Sequence, residues 1–320
     1  MATIPTPSQY WAAMYLAKIA YTDETDPNAQ RAAIEAALQP SAEQPSDLAP
    51  WKLVWGPATD QGILAYIAQS SVASTYALVF RGSLSELAAH DFIRNWFQDV
   101  DAFKQVPFDY PASAGAHISS GANMAFGSIQ GLVDLITQQR IPAFVEQLAG
   151  KSASPLTLII AGHSLGGGLT QIGALWLRAQ LSAAAQAKIT FLPCTFAAPT
   201  FGNQQFADLF DKTFPNSYRA VNTLDIVPMA FENLDGIQKA YSPTGETISE
   251  SGLGFDTIVQ TAKDSIGNVY RSPKGGTVLS YTGWMPTTVA KWADIVAANH
   301  ASQLYLDEVQ TAAAKAINKT

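Results

Sequence analysis

A chain of 320 residues, 48% hydrophobic and only 14% charged, carries enough apolar material for one large core, and its length allows one or two domains. A formal net charge of −7 with no basic cluster set against it argues against a nucleic-acid partner. No run approaches the roughly eighteen apolar residues of a membrane span, and a single cysteine, Cys194, excludes an internal disulfide framework.

The start, MATIPTPSQYWAAMYLAK, lacks a basic stretch followed by an apolar one, so no signal peptide is expected. Location stays open between the cytoplasm and secretion after loss of a leader. Residues 8–21 read as a helix, with Tyr10, Trp11, Met14, Tyr15, Ile19 and Ala20 forming a broad apolar face. A second helix is expected over 28–38, followed by a Pro/Ser/Glu-rich connection. Residues 51–55, 62–69 and 76–80 read as three successive strands, with Pro57, Asp60 and Gly62 as turn residues. Over 84–103, Phe92, Ile93, Trp96, Phe97 and Val100 fall on one helical face, opposite Asp91, Arg94, Asn95, Gln98 and Asp99. Such a segment is either a packed surface helix or a mobile lid.

Residues 109–123 read as a loop, and 124–148 as mostly helical with an interruption near Pro142. Residues 188–196 read as a buried strand holding a packed Cys194, 203–210 as a helix, and 217–222 as another strand. The region 232–290, rich in Gly, Ser and Thr, has no clear assignment, and 252–283 reads as an insertion. Closing helices are expected over 287–299 and 303–317.

The chemistry centres on 155–169, PLTLIIAGHSLGGGL. The apolar run 156–161 suits a strand buried on both faces, and 169–180 is a good helix former. Between them, Gly162-His163-Ser164-Leu165-Gly166 fits the G-x-S-x-G nucleophile elbow. A serine on so tight a turn has a strained backbone, and glycines two positions either side remove collisions with strand and helix. Ser164 then stands clear of the sheet, with the N–H of Leu165 aimed at the same point. Ser83 follows a strand in Val79-Phe80-Arg81-Gly82-Ser83, the right place for a second oxyanion donor, although an ordinary capping serine would look similar. The position of 84–103 directly after Ser83 favours the lid.

In elbow hydrolases the acid and then the histidine follow the nucleophile. Of the four histidines, His90, His117, His163 and His300, only His300 lies beyond the elbow. Among the intervening acids, Asp225 alone closely follows a credible apolar strand, with Ile226, Val227, Pro228 and Met229 to desolvate it; Asp235 is the second choice.

Taken together, the stretches Val79 to Ser83, Ile93-Arg94-Asn95-Trp96, Gly162 to Gly167, Ala198-Pro199-Thr200-Phe201-Gly202-Asn203, Asp225-Ile226-Val227-Pro228 and Asn299-His300 resemble the class 3, fungal-type triacylglycerol lipase family. They run in family order over most of the chain. The resemblance implies an α/β-hydrolase fold, a mostly parallel central sheet with helices on both faces and a helical lid, in one domain spanning 1–320. It implies Ser164 as nucleophile, Asp225 as acid, His300 as base, Ser83 and Leu165 as oxyanion donors, and Phe92, Ile93, Trp96 and Phe97 as part of the lid. The chain departs from the family in the residues 84–92 that follow the oxyanion serine, and in lacking the disulfides common in secreted fungal relatives.

The expected activity is hydrolysis of acylglycerol esters, with an esterase or phospholipase A1 on other esters as the alternative and a non-catalytic lipase-like binding protein as the rival class. The expected partner is a lipid or ester substrate, met at a lipid–water interface. No cofactor, no metal and no protein partner is implied.

Overall fold

The computed structural model describes residues 4–22, 24–72, 74–83, 104–110, 114–242, 244–252, 254–266 and 269–319. The chain begins with helices α1 (Pro7–Ile19) and α2 (Pro27–Ala37). Thr6 caps α1, its hydroxyl accepting from Gln9 N while the Gln9 side chain returns to Thr6 N, and Asp26 caps α2. Strands β1 (Trp51–Asp60), β2 (Ile63–Ser70) and β3 (Thr75–Phe80) then form an antiparallel meander. Sequence pattern places turn residues at Pro57 and Asp60, yet β1 runs through both. Register shifts around Trp55 absorb Gly56 and Pro57 as irregularities in the strand, and the chain reverses at Gln61-Gly62.

Two short strands, β4 (Gln105–Pro107) and β5 (His117–Ser119), pair with each other; the second interrupts what reads as a loop in the sequence. Helices α3 (Ser120–Gly131) and α4 (Ile141–Lys151) follow. The helical break falls at 132–140, not at Pro142, which sits in the first turn of α4 where its missing N–H costs nothing. Asp134 organises that break, accepting from Thr137 N and from Gly56 N on β1.

The rest alternates strand and helix: β6 (Leu156–His163), α5 (Leu165–Gln180), α6 (Ala183–Lys188), β7 (Ile189–Phe196), α7 (Gln204–Thr213) and β8 (Tyr218–Asn222). The region without sequence assignment contains α8 (Leu234–Lys239), α9 (Phe255–Ile266) and β9 (Thr277–Tyr281). The stretch read as an insertion therefore adds a strand to the main sheet. Helices α10 (Trp292–His300) and α11 (Ser302–Ile317) close the chain. Residues 287–290, expected to be helical, instead bend at 287–288 and end in an isolated bridge, where Ala290 N donates to Thr244 O and Ala290 O accepts from Glu246 N.

The main sheet has seven strands in the order β1-β2-β3-β6-β7-β8-β9, parallel from β3 onward. Alternation along β6 sends Leu158 and Ile160 into one apolar cluster and Ile159 and Ala161 into another across the sheet. Residues of α1 and α11 fill the second cluster, and those of α3, α4 and α5 the first. With both faces covered, side-chain chemistry is left to the carboxyl edge of the parallel strands. Among the described residues no helix is long and apolar enough to cross a membrane.

Candidate active site

Ser164 occupies the single-residue turn between β6 and α5, with φ 59° and ψ −130°, a conformation a β-carbon disfavours. Two glycines make the turn possible. A Cβ on Gly162 would lie 2.1 Å from the carbonyl oxygen of Gly166, and one on Gly166 would lie 2.2 Å from that of Phe80. The second contact also presses the exit of β3 against the start of α5, so half-buried Ser83 follows a backbone that abuts the elbow. The Ser164 N–H is anchored on Phe196 O of β7 at 2.9 Å. Leu165 opens α5, so its N–H is one of the first-turn donors that no helical carbonyl can satisfy.

His300 is the last residue of α10, and its Nε2 lies 2.7 Å from Ser164 Oγ. Its Nδ1 lies 2.8 Å from Asp225 Oδ2. With a proton assigned to Nδ1, that nitrogen donates to the carboxylate and leaves Nε2 to accept from the serine hydroxyl. Asp225 follows β8 by three residues, its Oδ1 accepting from Val227 N at 2.9 Å. The structure thus brings together three side chains separated by up to 136 positions. All three are buried, Ser164 being only 3% exposed.

Several neighbours carry no sequence signal. Tyr305 on α11 donates to Asp225 Oδ2 at 2.8 Å and accepts from Asn222 N at 3.1 Å. Burial, and then the Asp225 charge, push its hydroxyl pKa well above the usual range, so it is a fixed donor. Asn222 Nδ2 donates to Asn299 O and Oδ1, tying the residue before His300 to the end of β8. On the serine side, the Tyr21 hydroxyl lies 2.8 Å from His163 Nδ1. The His163 ring packs on that of His300, with centroids 4.8 Å apart. Burial, followed by repulsion from His300, holds its pKa well below 6.5, so it adds no second positive charge there.

Other candidates lie elsewhere. Asp235 is exposed and paired with Lys263 at 2.5 Å, which removes it as an alternative acid. His117 bonds Gly115 O beside β5. Cys194 is packed within β7, its thiol pKa raised by burial. The lid residues Phe92, Ile93, Trp96 and Phe97, with the whole of 84–103, lie outside the described residues.

Comparison with known proteins adds to this geometry. Residues 77–234 match the family described as lipase (class 3). Over that span the chain is similar to class 3 lipases. The match takes in the elbow, Ser83 and Asp225; His300 lies beyond it. A curated relative, secreted mono- and diacylglycerol lipase 1 of Fusarium solani, is 28% identical over 171 residues, which is 53% of this chain and 43% of that protein. This chain therefore spans less than half of that relative's length. The crystal structure of M37 lipase superposes with a TM-score of 0.78 at 22% identity, covering 96% of this chain and 95% of that one. The fold, a mostly parallel seven-stranded sheet covered by helices on both faces, is that of an α/β-hydrolase.

Proposed function

We propose that this chain is a class 3 lipase that hydrolyses carboxylic esters, acylglycerols above all, through an acyl-enzyme on Ser164. The observation that carries the proposal is the chain of contacts from Ser164 Oγ to His300 at 2.7 Å and from His300 to Asp225 at 2.8 Å. His300 Nε2 takes the hydroxyl proton as Oγ attacks the ester carbonyl, and Asp225 holds the imidazole in the required tautomer and stabilises the imidazolium. The carbonyl oxygen becomes an oxyanion facing the N–H groups of Leu165 and Ser83. Its collapse breaks the ester C–O bond, and His300 returns the proton to the departing alcohol. Water then repeats the cycle on the acyl-serine and releases the fatty acid.

The burial of Ser164 supports an opening step, and 84–103 is the segment we assign to it. The assignment rests on the sequence alone, in which Phe92, Ile93, Trp96 and Phe97 recur at helical spacing soon after Ser83. Turnover of a p-nitrophenyl ester, beside emulsified acylglycerol, tests the proposal. Ser164→Ala should remove about 10⁶-fold of kcat while the circular dichroism spectrum is retained. Undiminished turnover by folded Ser164→Ala protein would overturn it.

A further inference from the structure

We propose that Tyr241 is a positioning residue for the acid: its hydroxyl fixes the peptide that carries Asp225 and so sets the carboxylate against His300. Tyr241 lies just past α8, in the region to which sequence pattern gives no assignment, 17 positions beyond Leu224. Its backbone turns there at φ 74°, the left-handed region where glycine is the usual occupant. A bulky side chain at such a turn carries strain that the surrounding structure must offset, and strain of this kind gathers at functional sites. Glycine would relax the turn, so the observed conformation points to a need for the side chain.

That side chain is buried and reaches the acid turn. The Tyr241 hydroxyl donates to Leu224 O at 2.6 Å. The N–H of the same peptide unit belongs to Asp225 and donates to Asn222 O at 3.1 Å, while Leu224 N donates to Asn222 Oδ1 at 3.0 Å. The peptide joining Leu224 to Asp225 is therefore held at both ends, by the last residue of β8 and by Tyr241. Rotation of that plane would swing the Asp225 side chain away from its 2.8 Å contact with His300 Nδ1. Tyr241 also packs toward the helix that carries the base. Its ring centroid lies 6.3 Å from that of Trp292, the first residue of α10. A Cβ on Gly245 would stand 2.2 Å from Ile295 Cδ1 and 3.3 Å from Tyr241 Cβ, so a glycine lets Tyr241 and α10 close on each other. Burial, and then the Asp225 charge, raise the hydroxyl's pKa, so it remains a neutral donor.

The inference rests on the acid and base roles proposed above for Asp225 and His300. Tyr241→Phe keeps the ring and the backbone turn and removes only the donor. On dissolved p-nitrophenyl butyrate its kcat should fall about 3- to 10-fold with KM unchanged, the loss expected of one hydrogen bond that acts on the reacting groups and not on the substrate. Tyr241→Gly relaxes the backbone yet cannot reach Leu224, and should lose at least as much. In an Asp225→Asn background Tyr241→Phe should cost less than about 2-fold, since no carboxylate is left to aim. A readout independent of turnover is the far-downfield proton resonance of His300 Nδ1–H, which should be present in the parent and broaden through faster exchange in Tyr241→Phe. Parental kcat and an unaltered resonance in folded Tyr241→Phe would overturn the inference. So would an equal loss in the Asp225→Asn background, which would mark a general effect on the fold. If the parent turns over no ester, yet the resonance is present and broadens in Tyr241→Phe, the hydrolytic reading fails and the positioning of Asp225 stands.

Discussion

The two sides of the site are built in opposite ways. Ser164 is held by backbone: a positive φ, an anchor on β7 and glycines that let β3, β6 and α5 approach until no Cβ would fit. Asp225 and His300 are held by side chains, through a polar network of Asn222, Asn299 and Tyr305 drawn from β8, α10 and α11. Backbone geometry restricts which residue types can stand within two positions of the serine, whereas a side-chain network restricts residues scattered over more than eighty positions. The first leaves a motif in the sequence. The second leaves almost none.

Substitutions on the network side probe this contrast in a graded way. Asp225→Asn keeps the shape but favours the wrong imidazole tautomer, and should lower kcat on the order of 10⁴-fold. If Asp225→Asn were nearly as active as the parent, the proposed acid would be wrong. Tyr305→Phe removes one donor to the same carboxylate and leaves the Val227 N–H and His300 contacts in place. A hydrogen bond to a charged group is worth about 1.5–3 kcal/mol, so kcat/KM should fall roughly 10- to 100-fold. An unchanged pH–rate profile in Tyr305→Phe would assign the tyrosine to packing alone.

His163 joins the two sides, and its effect is the smallest. The unfolded chain takes up a proton near pH 6.5, while the buried imidazole resists it. The unfolded state therefore binds more protons below that pH, and stability should decline as pH falls through 6.5, by up to about 1.4 kcal/mol per unit. Denaturant midpoints measured across this range should flatten in His163→Asn. An equally steep acid dependence in that variant would place the titrating group elsewhere.

The same contrast explains what was legible in the sequence. Gly162 and Gly166 marked the elbow because steric exclusion is local, and β6 and β7 were readable as apolar runs because both faces are buried. Asp225 stood out by following a strand directly, and His300 by chain order. Tyr305 and Tyr21 were invisible as functional groups. Each sits among apolar residues of a terminal helix region, and their partners lie 80 and 142 positions away. Strand β9 was missed because it is an exposed edge with neither a continuous apolar run nor a clean alternation. The break after α3 was placed too late because Pro142 reads as a breaker, although here it starts a helix.

The most direct test is to trap the acyl-enzyme chemistry on intact protein with an alkyl phosphonate ester and weigh the product. One adduct per chain is expected, mapped to Ser164 by peptide mass, absent in Ser164→Ala and formed orders of magnitude more slowly in His300→Ala. Labelling at another residue, or at Ser164 with a rate that His300→Ala does not alter, would contradict the serine–histidine–aspartate unit proposed for this site.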